Sequence, residues 1–295
     1  MVKVLITGGT GLIGQKLTQL LEAKGYEVAI LSRNPSEKNQ YKWDIKEGYI
    51  DEKALKNTDY IIHLAGAGIA DKRWTDKRKK VLMNSRVQSA NLLFSKVKEL
   101  NIPLNKFISA SAIGYYGAVT TDIVFTEKDP PGNDFVSTIC VSWENAAFQF
   151  NKLDIPVTVL RTGVVLAKDD GALDRMNTPL FLAPIGSGKQ YMPWIHVDDL
   201  CSLYVEAIEK DNFIGVFNAV APNPETNKTF TKILGKVLHK PVLPIHVPSF
   251  ILQLVFGKMA NIILEGSRIS TEKTSTFYNF KYHSLNKALT NLYDN

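Results

Sequence analysis

Val4-Leu5-Ile6-Thr7-Gly8-Gly9-Thr10-Gly11-Leu12-Ile13-Gly14 decides the fold. A short apolar run of β character feeds three glycines spaced G-x-x-G-x-x-G, and Gln15 to Lys24 then reads as a helix. In a strand–turn–helix unit such glycines let the backbone turn tightly, approach a pyrophosphate and pack the helix on its strand. The helix start offers open N–H groups and the positive end of its dipole to that anion. A glycine triplet alone would be weak, but here strand, turn and helix stand in the order a dinucleotide site requires. Gly8, Thr10, Gly11, Leu12 and Ile13 are therefore the expected cofactor contacts.

Strand-like runs alternate with helical patterns along the chain, the signature of parallel βαβ units. Strands are expected at Lys3–Thr7, Glu27–Ser32, near Tyr41–Trp43, Tyr60–Leu64, Lys106–Ser109 and Pro156–Arg161. Helices are expected at Leu12–Lys24, Thr75–Leu100 and Val136–Leu153. Right-handed crossovers then give an α/β fold, a Rossmann-type doubly wound parallel sheet. After Arg161 the pattern loosens. Residues 167–192 read as loop, a helix at about Asp198–Lys210 and a strand at Val216–Val220 follow, and a helix at Phe230–Leu238 precedes an apolar helix over 249–264. The expected division is a dinucleotide-binding domain over 1–166, rejoined by 193–221, and a smaller substrate lobe made of 167–192 and 222–295.

The 295 residues suffice for a full core, and 45% hydrophobic with 22% charged residues is ordinary globular composition. No apolar run reaches the roughly 18 residues of a membrane span. The first strand starts so early that no signal peptide is expected, and a cytoplasmic location follows. Two cysteines, Cys140 and Cys201, and five scattered histidines suggest neither a disulfide framework nor a metal site. Net charge is +6, with the densest basic run at residues 72–80 around Trp74. That run reads as the solvated start of a helix near Thr75 rather than a nucleic-acid surface.

The second strand ends Leu31-Ser32-Arg33-Asn34-Pro35. NAD-selective sites usually place a carboxylate here for the ribose hydroxyls, whereas a guanidinium suits a 2′-phosphate. Ser32 and Arg33 thus point to NADP(H). Asp44 either accepts from the adenine amino group or starts a turn. Leu64, Ala65 and Gly66 let the cofactor pass close to the backbone. Arg161, a charge ending an apolar strand, is a candidate for cofactor or an anionic substrate. In Trp194-Ile195-His196-Val197-Asp198-Asp199 the expected roles are structural, with Asp198 or Asp199 capping the next helix. Glu127 and Asp129 either face the cleft or, as acidic loops usually do, are simply solvated. Gly186-Ser187-Gly188-Lys189-Gln190 reads as a substrate contact or a flexible lid.

Thr7-Gly8-Gly9-Thr10-Gly11-Leu12-Ile13-Gly14 resembles the extended short-chain dehydrogenase/reductases. His63-Leu64-Ala65-Gly66, Ser85-Arg86, Ser111-Ala112-Ile113-Gly114-Tyr115-Tyr116-Gly117, Trp143-Glu144 and Arg161-Thr162-Gly163 narrow this to the atypical "epimerase family", with a small C-terminal domain of unknown function. The resemblance covers essentially the whole chain. It implies a nicotinamide cofactor, an unidentified small-molecule substrate and a cofactor-facing Arg86, which periodicity alone would leave on the surface.

One departure matters. The superfamily's Tyr-x-x-x-Lys, in which tyrosine is the acid/base and lysine holds the nicotinamide ribose, is absent. If Glu144 aligns with the glutamate that commonly follows that motif, Val136 and Cys140 occupy the two places. Ser111 and Tyr116, with Tyr115 beside it, are the remaining candidates for proton handling. Two functions stay open: an NADP(H)-dependent oxidoreductase or epimerase-like enzyme, and a non-catalytic NADP(H)-binding redox sensor acting through a partner protein.

Overall fold

The computed structural model describes residues 1–168 and 171–294. Asp169 and Asp170, inside the loop expected over 167–192, and Asn295 lie outside the described residues. The strands are β1 (Lys3–Thr7), β2 (Glu27–Ser32), β3 (Gln40–Asp44), β4 (Tyr49–Ile50), β5 (Tyr60–His63), β6 (Lys106–Ala112), β7 (Val124–Phe125), β8 (Val157–Thr162), β9 (Val164–Leu166), β10 (Trp194–His196), β11 (Gly215–Ala219) and β12 (Arg268–Ile269). The helices are α1 (Leu12–Ala23), α2 (Glu52–Leu55), α3 (Asp76–Glu99), α4 (Phe135–Phe148), α5 (Ala172–Met176), α6 (Val197–Glu209), α7 (Asn227–Val237), α8 (Ser249–Phe256), α9 (Asn261–Leu264), α10 (Glu272–Ser275) and α11 (Leu285–Tyr293).

Eight strands form one sheet in the order β11-β8-β6-β5-β1-β2-β3-β4, parallel except for the β3–β4 hairpin. Chain order reverses between β1 and β5, so the crevice at their carboxyl ends is the switch point where such sheets bind ligands. One face packs on α1 and α6 through Leu17, Leu21, Leu200 and Tyr204; the other packs through Leu93, Phe107 and Phe150. Phe107 and Phe150 stack with centroids 3.8 Å apart. At the amino edge two buried lysines terminate helices rather than meet carboxylates. Lys106 donates to the carbonyls of Ala207 and Lys210 at 2.8 Å, and Lys3 to that of Lys56 at 2.8 Å. Cations at helix C-termini complement the dipole.

A separate core of Leu173, Leu182, Phe230, Leu234, Leu285 and Leu289 joins α5, α7 and α11. The stretch read as loop over 167–192 contains α5. The apolar helix expected over 249–264 is broken at Gly257, where φ is +60°, into α8, a 3-10 turn and α9. No residue of α8 is buried, and Phe250 and Leu254 stand in the open. No helix among the described residues is long and apolar enough to cross a membrane.

Candidate functional site

The three glycines of the opening turn do three different things. Gly8 sits at φ +73°, and a Cβ there would lie 3.1 Å from the backbone of Leu64 and Ala65. Gly14 is jammed under the turn, where a Cβ would come 2.3 Å from the Gly8 carbonyl. Gly11 is open: its Cβ would meet only the Gly8 carbonyl, at 3.4 Å. Gly11 is also the N-cap of α1 and supplies no side-chain hydrogen bond to it. The first amides of a helix have no intrahelical acceptor, so those of Leu12 and Ile13 face outward as donors. Thr7 closes the floor, its hydroxyl accepting from Ala65 N at 3.2 Å. This cradle fits a pyrophosphate.

On one flank stands Arg33, exposed just beyond β2, with no acidic partner among the described residues. Ser32 beneath it accepts from Asn34 N at 3.2 Å, which holds the bend. Asp44 spends Oδ1 on the amides of Lys46 and Glu47, at 2.9 and 3.3 Å, and so starts a turn, the second of its two readings. On the other flank Arg86 reaches the loop after β5, so close that a Cβ on Gly66 would lie 3.0 Å from its Cζ. It lies over the Trp143 ring at 5.0 Å, and burial lowers its pKa.

Deeper in, β6, α4 and β8 build a closed network. Arg161 Nε and Nη2 donate to the two carboxylate oxygens of Glu144 at 2.9 and 2.8 Å. Its Nη1 donates to the Tyr116 hydroxyl at 3.0 Å, and that hydroxyl donates to Asn218 at 2.7 Å. Ser111 donates to Glu144 at 2.7 Å. The guanidinium also lies 3.3 Å from the centre of the Tyr115 ring. Burial alone would lower the Arg161 pKa, but its bond to Glu144 raises it. For Tyr116 burial dominates and pushes the phenol up to about 12, against the opposing pull of Arg161.

This geometry gives three of the expected site residues partners within the protein. Arg161 is 3% exposed, its charge is neutralised by Glu144, and three of its five N–H groups are bonded within the network. The Tyr116 hydroxyl is engaged on both sides, and burial sets it against ionisation. Ser111, also buried, serves the Glu144 carboxylate. Tyr115 is the partly exposed phenol of the pair. Glu127 is not simply solvated, because it accepts from Asn218 N at 2.8 Å. Asp129 accepts from Thr126. Asn218, which joins the network from β11, was not among the expected site residues, and nothing near it in the chain marks it. Glu144 had a signal: it is the lone charged residue of α4, and such a charge on a largely buried helix needs a cation.

A second buried polar cluster braces the crevice from below. Trp143 Nε1 donates to His63 Nδ1 at 3.2 Å, so the proton sits on His63 Nε2, which donates to Ser89 Oγ at 2.7 Å. Burial, helped by the Arg86 charge, holds His63 near pKa 3 and therefore neutral. Near α6 the capping residue is His196, whose Nδ1 accepts from Asp198 N at 3.1 Å. The two aspartates expected to cap are used elsewhere. Asp198 pairs with Lys16 at 2.6 Å, and Asp199 accepts from Tyr278, Lys281 and Tyr282 and so ties the C-terminal segment down. The Gly186–Gln190 loop is no free lid: buried Gln190 donates to the carbonyls of Ile185 and Ile263. In the basic run, Trp74 is partly buried, donates to Ile69 O and packs edge-on against Phe135.

Residues 4–220 match the model of the NAD dependent epimerase/dehydratase family, and residues 247–292 match a domain of unknown function, DUF1731. The chain belongs to the NAD dependent epimerase/dehydratase family. It is 36% identical to the mouse (Mus musculus) epimerase family protein SDR39U1, over 98% of each chain. It is 37% identical to the chloroplastic SDR39U1 homologue of Arabidopsis thaliana, over 97% of this chain and 85% of that one. The crystal structure of human SDR39U1 with NADPH superposes with a TM-score of 0.88 at 31% identity, covering 100% of both chains. UDP-glucuronic acid 4-epimerase from Bacillus cereus shares the fold, with a TM-score of 0.80 at 22% identity and coverage of 99% of this chain and 98% of that one.

Proposed function

We propose that the protein is an NADP(H)-binding oxidoreductase or epimerase-like enzyme acting on a small molecule in the crevice between sheet and lobe. The observation that carries this reading is the uncompensated guanidinium of Arg33 beside the open glycine turn. Gly8, Thr10, Gly11, Leu12 and Ile13 would take the pyrophosphate, Ser32 and Arg33 the 2′-phosphate, and Leu64, Ala65 and Gly66 would bound the crevice. When bound, the nicotinamide supplies the hydride chemistry. Human SDR39U1 with NADPH, similar over its whole length, supports the choice of cofactor.

The protein's part is to orient the cofactor and manage a proton. With Ser111 and Tyr116 engaged in the Glu144–Arg161 network, Tyr115 is the phenol left on the crevice side. Titration with NADPH and NADH tests the reading. Arg33→Ala is expected to weaken NADPH by about 10- to 100-fold, the worth of charge-assisted bonds to a phosphate, and to leave NADH unchanged. Equal losses for both coenzymes overturn it. Reduction of a carbonyl panel by NADPH then tests turnover. Tight NADPH binding without any turnover selects instead a redox sensor that acts through a partner.

A further inference from the structure

The smaller lobe leaves large apolar side chains in water. Leu180, Ile245, Phe250, Ile251, Leu254 and Val255 are 40–77% exposed. Scattered singly, such residues need no explanation. Here the segments that carry them are joined. Leu182 bridges to Val242 and Ile185 to Val247 in parallel, and α8 starts two residues later at Ser249. On α8 the exposed residues fall in two rows four apart, Phe250 with Leu254 and Ile251 with Val255. Leu252 and Phe256, half-buried, make the row that turns to the lobe. Gly257 ends the helix at φ +60°, and a Cβ there would lie 3.0 Å from Arg73 Nε, so the far end of α8 rests on the loop after β5. The helix is seated at both ends and bare along its outer face.

The size of that face says what covers it. Those six side chains leave on the order of 800 Å² of apolar surface in water, more than the roughly 300–600 Å² of a monomer's largest patch and about the share one partner gives to a stable interface. By contrast α3 exposes a polar row, Lys80, Asn84, Gln88 and Asn91. Charge chooses the partner. A helix that lies on a lipid surface sets Lys and Arg along its polar face, whereas α8 carries no charge and its polar residues are Ser249 and Gln253. Exposed charges of both signs flank the apolar segments, Asp174 and Arg175 before Leu180, and Lys258 and Glu265 after Val255. A patch that faces itself across a two-fold axis needs both signs at its rim, because each charge meets the rim of an identical copy.

We infer that the outer face of α8, with Leu180 and Ile245 beside it, is the interface between two copies of this chain. The contact is isologous, apolar at its centre and charged at its margin. It lies on the C-terminal lobe, away from the sheet and its glycine turn, so each copy keeps its own crevice.

Size-exclusion chromatography with light scattering tests this. At micromolar concentration the wild type is expected to show the mass of two chains. Phe250→Glu combined with Leu254→Glu is expected to show the mass of one, because each copy then brings two carboxylates to the shared face. Both positions are exposed, so the double variant should keep the wild-type urea midpoint. If it does not fold, Leu254→Gln alone, expected to weaken the dimer by about tenfold or more, carries the same comparison. Tyr49→Glu, at a half-exposed apolar site on β4, is expected to leave the dimer intact. A monomeric wild type, a double variant that stays dimeric, or a Tyr49→Glu protein that falls apart overturns the assignment. A monomer that floats with anionic phospholipid vesicles gives the face to a lipid surface and overturns it equally.

Discussion

Arg33 and Arg161 both end strands at the carboxyl edge of one sheet, yet they belong to different parts of the molecule's physics. Arg33 is exposed and uncompensated beside an open glycine turn, while Arg161 is buried and bound on both carboxylate oxygens of Glu144. The β2 side of the crevice keeps its guanidinium free; the β6–α4–β8 side has engaged its own within the protein. A charge neutralised within the protein holds the fold, and a charge left waiting at a crevice serves a ligand. Position at a strand end does not distinguish the two. The partner does.

Breaking the closed side should therefore be costly in stability. Arg161→Met leaves the Glu144 carboxylate buried without its cation and is expected to destabilise the protein by about 3–5 kcal/mol in urea denaturation. Replacing the pair together, Glu144→Leu with Arg161→Met, should recover a large part of that loss. Arg33→Ala should stay within about 0.5 kcal/mol of wild type in the same assay. An Arg161→Met protein as stable as wild type would erase the contrast.

Lower pH probes two other buried groups more gently. His63 and His196 are fully buried, with pKa values lowered by burial to about 3 and about 4. In the unfolded chain each takes up a proton near pH 6.5, so between that pH and its folded value only the unfolded state is protonated. Their contribution is whole above about pH 6.5 and shrinks as pH falls toward 3 and 4. At about pH 5 the loss is about 2 kcal/mol for each. The urea midpoint should fall between about pH 7.5 and about pH 5, and an unchanged midpoint contradicts the neutral, buried state of both rings.

The open side was legible in the sequence because its determinants are local. The glycine turn, the strand before it, the helix after it and Arg33 all follow from neighbours within a few residues, and β1 and β2 lie where the pattern puts them. The closed side was not. Glu144 and Arg161 are 17 residues apart, and Tyr116 and Asn218 are 102 apart. The packing of α4 against β6 and β8 and the parallel pairing of β6 with β8 and of β8 with β11 bring them together. The strand expected to stop at Ser109 continues to Ala112 for the same reason: Ala110, Ser111 and Ala112 pair with Leu160, Arg161 and Thr162. His196 misled in another way, since an imidazole nitrogen capped α6 while the two neighbouring aspartates were drawn to Lys16 and to the C-terminal segment.

The finest test of the contrast lies at the helix starts. α3 and α7 are capped by Thr75 and Thr226, whose hydroxyls accept from Arg78 N and Thr229 N. α1 begins at Gly11 with no side-chain cap. The omission is not forced by the backbone, because Gly11 sits at φ −87° and ψ 174°, open to any residue, and a Cβ would meet only the Gly8 carbonyl. Gly11→Ser should therefore add the missing cap and raise stability by a few tenths, about 0.3 kcal/mol, in urea denaturation. The same hydroxyl would occupy the space through which a pyrophosphate reaches the α1 amides, so NADPH should bind about tenfold more weakly or worse. Opposite signs in one variant mark a helix end kept bare for a ligand. A Gly11→Ser protein that binds NADPH as tightly as wild type would show that the bare cap has no such purpose.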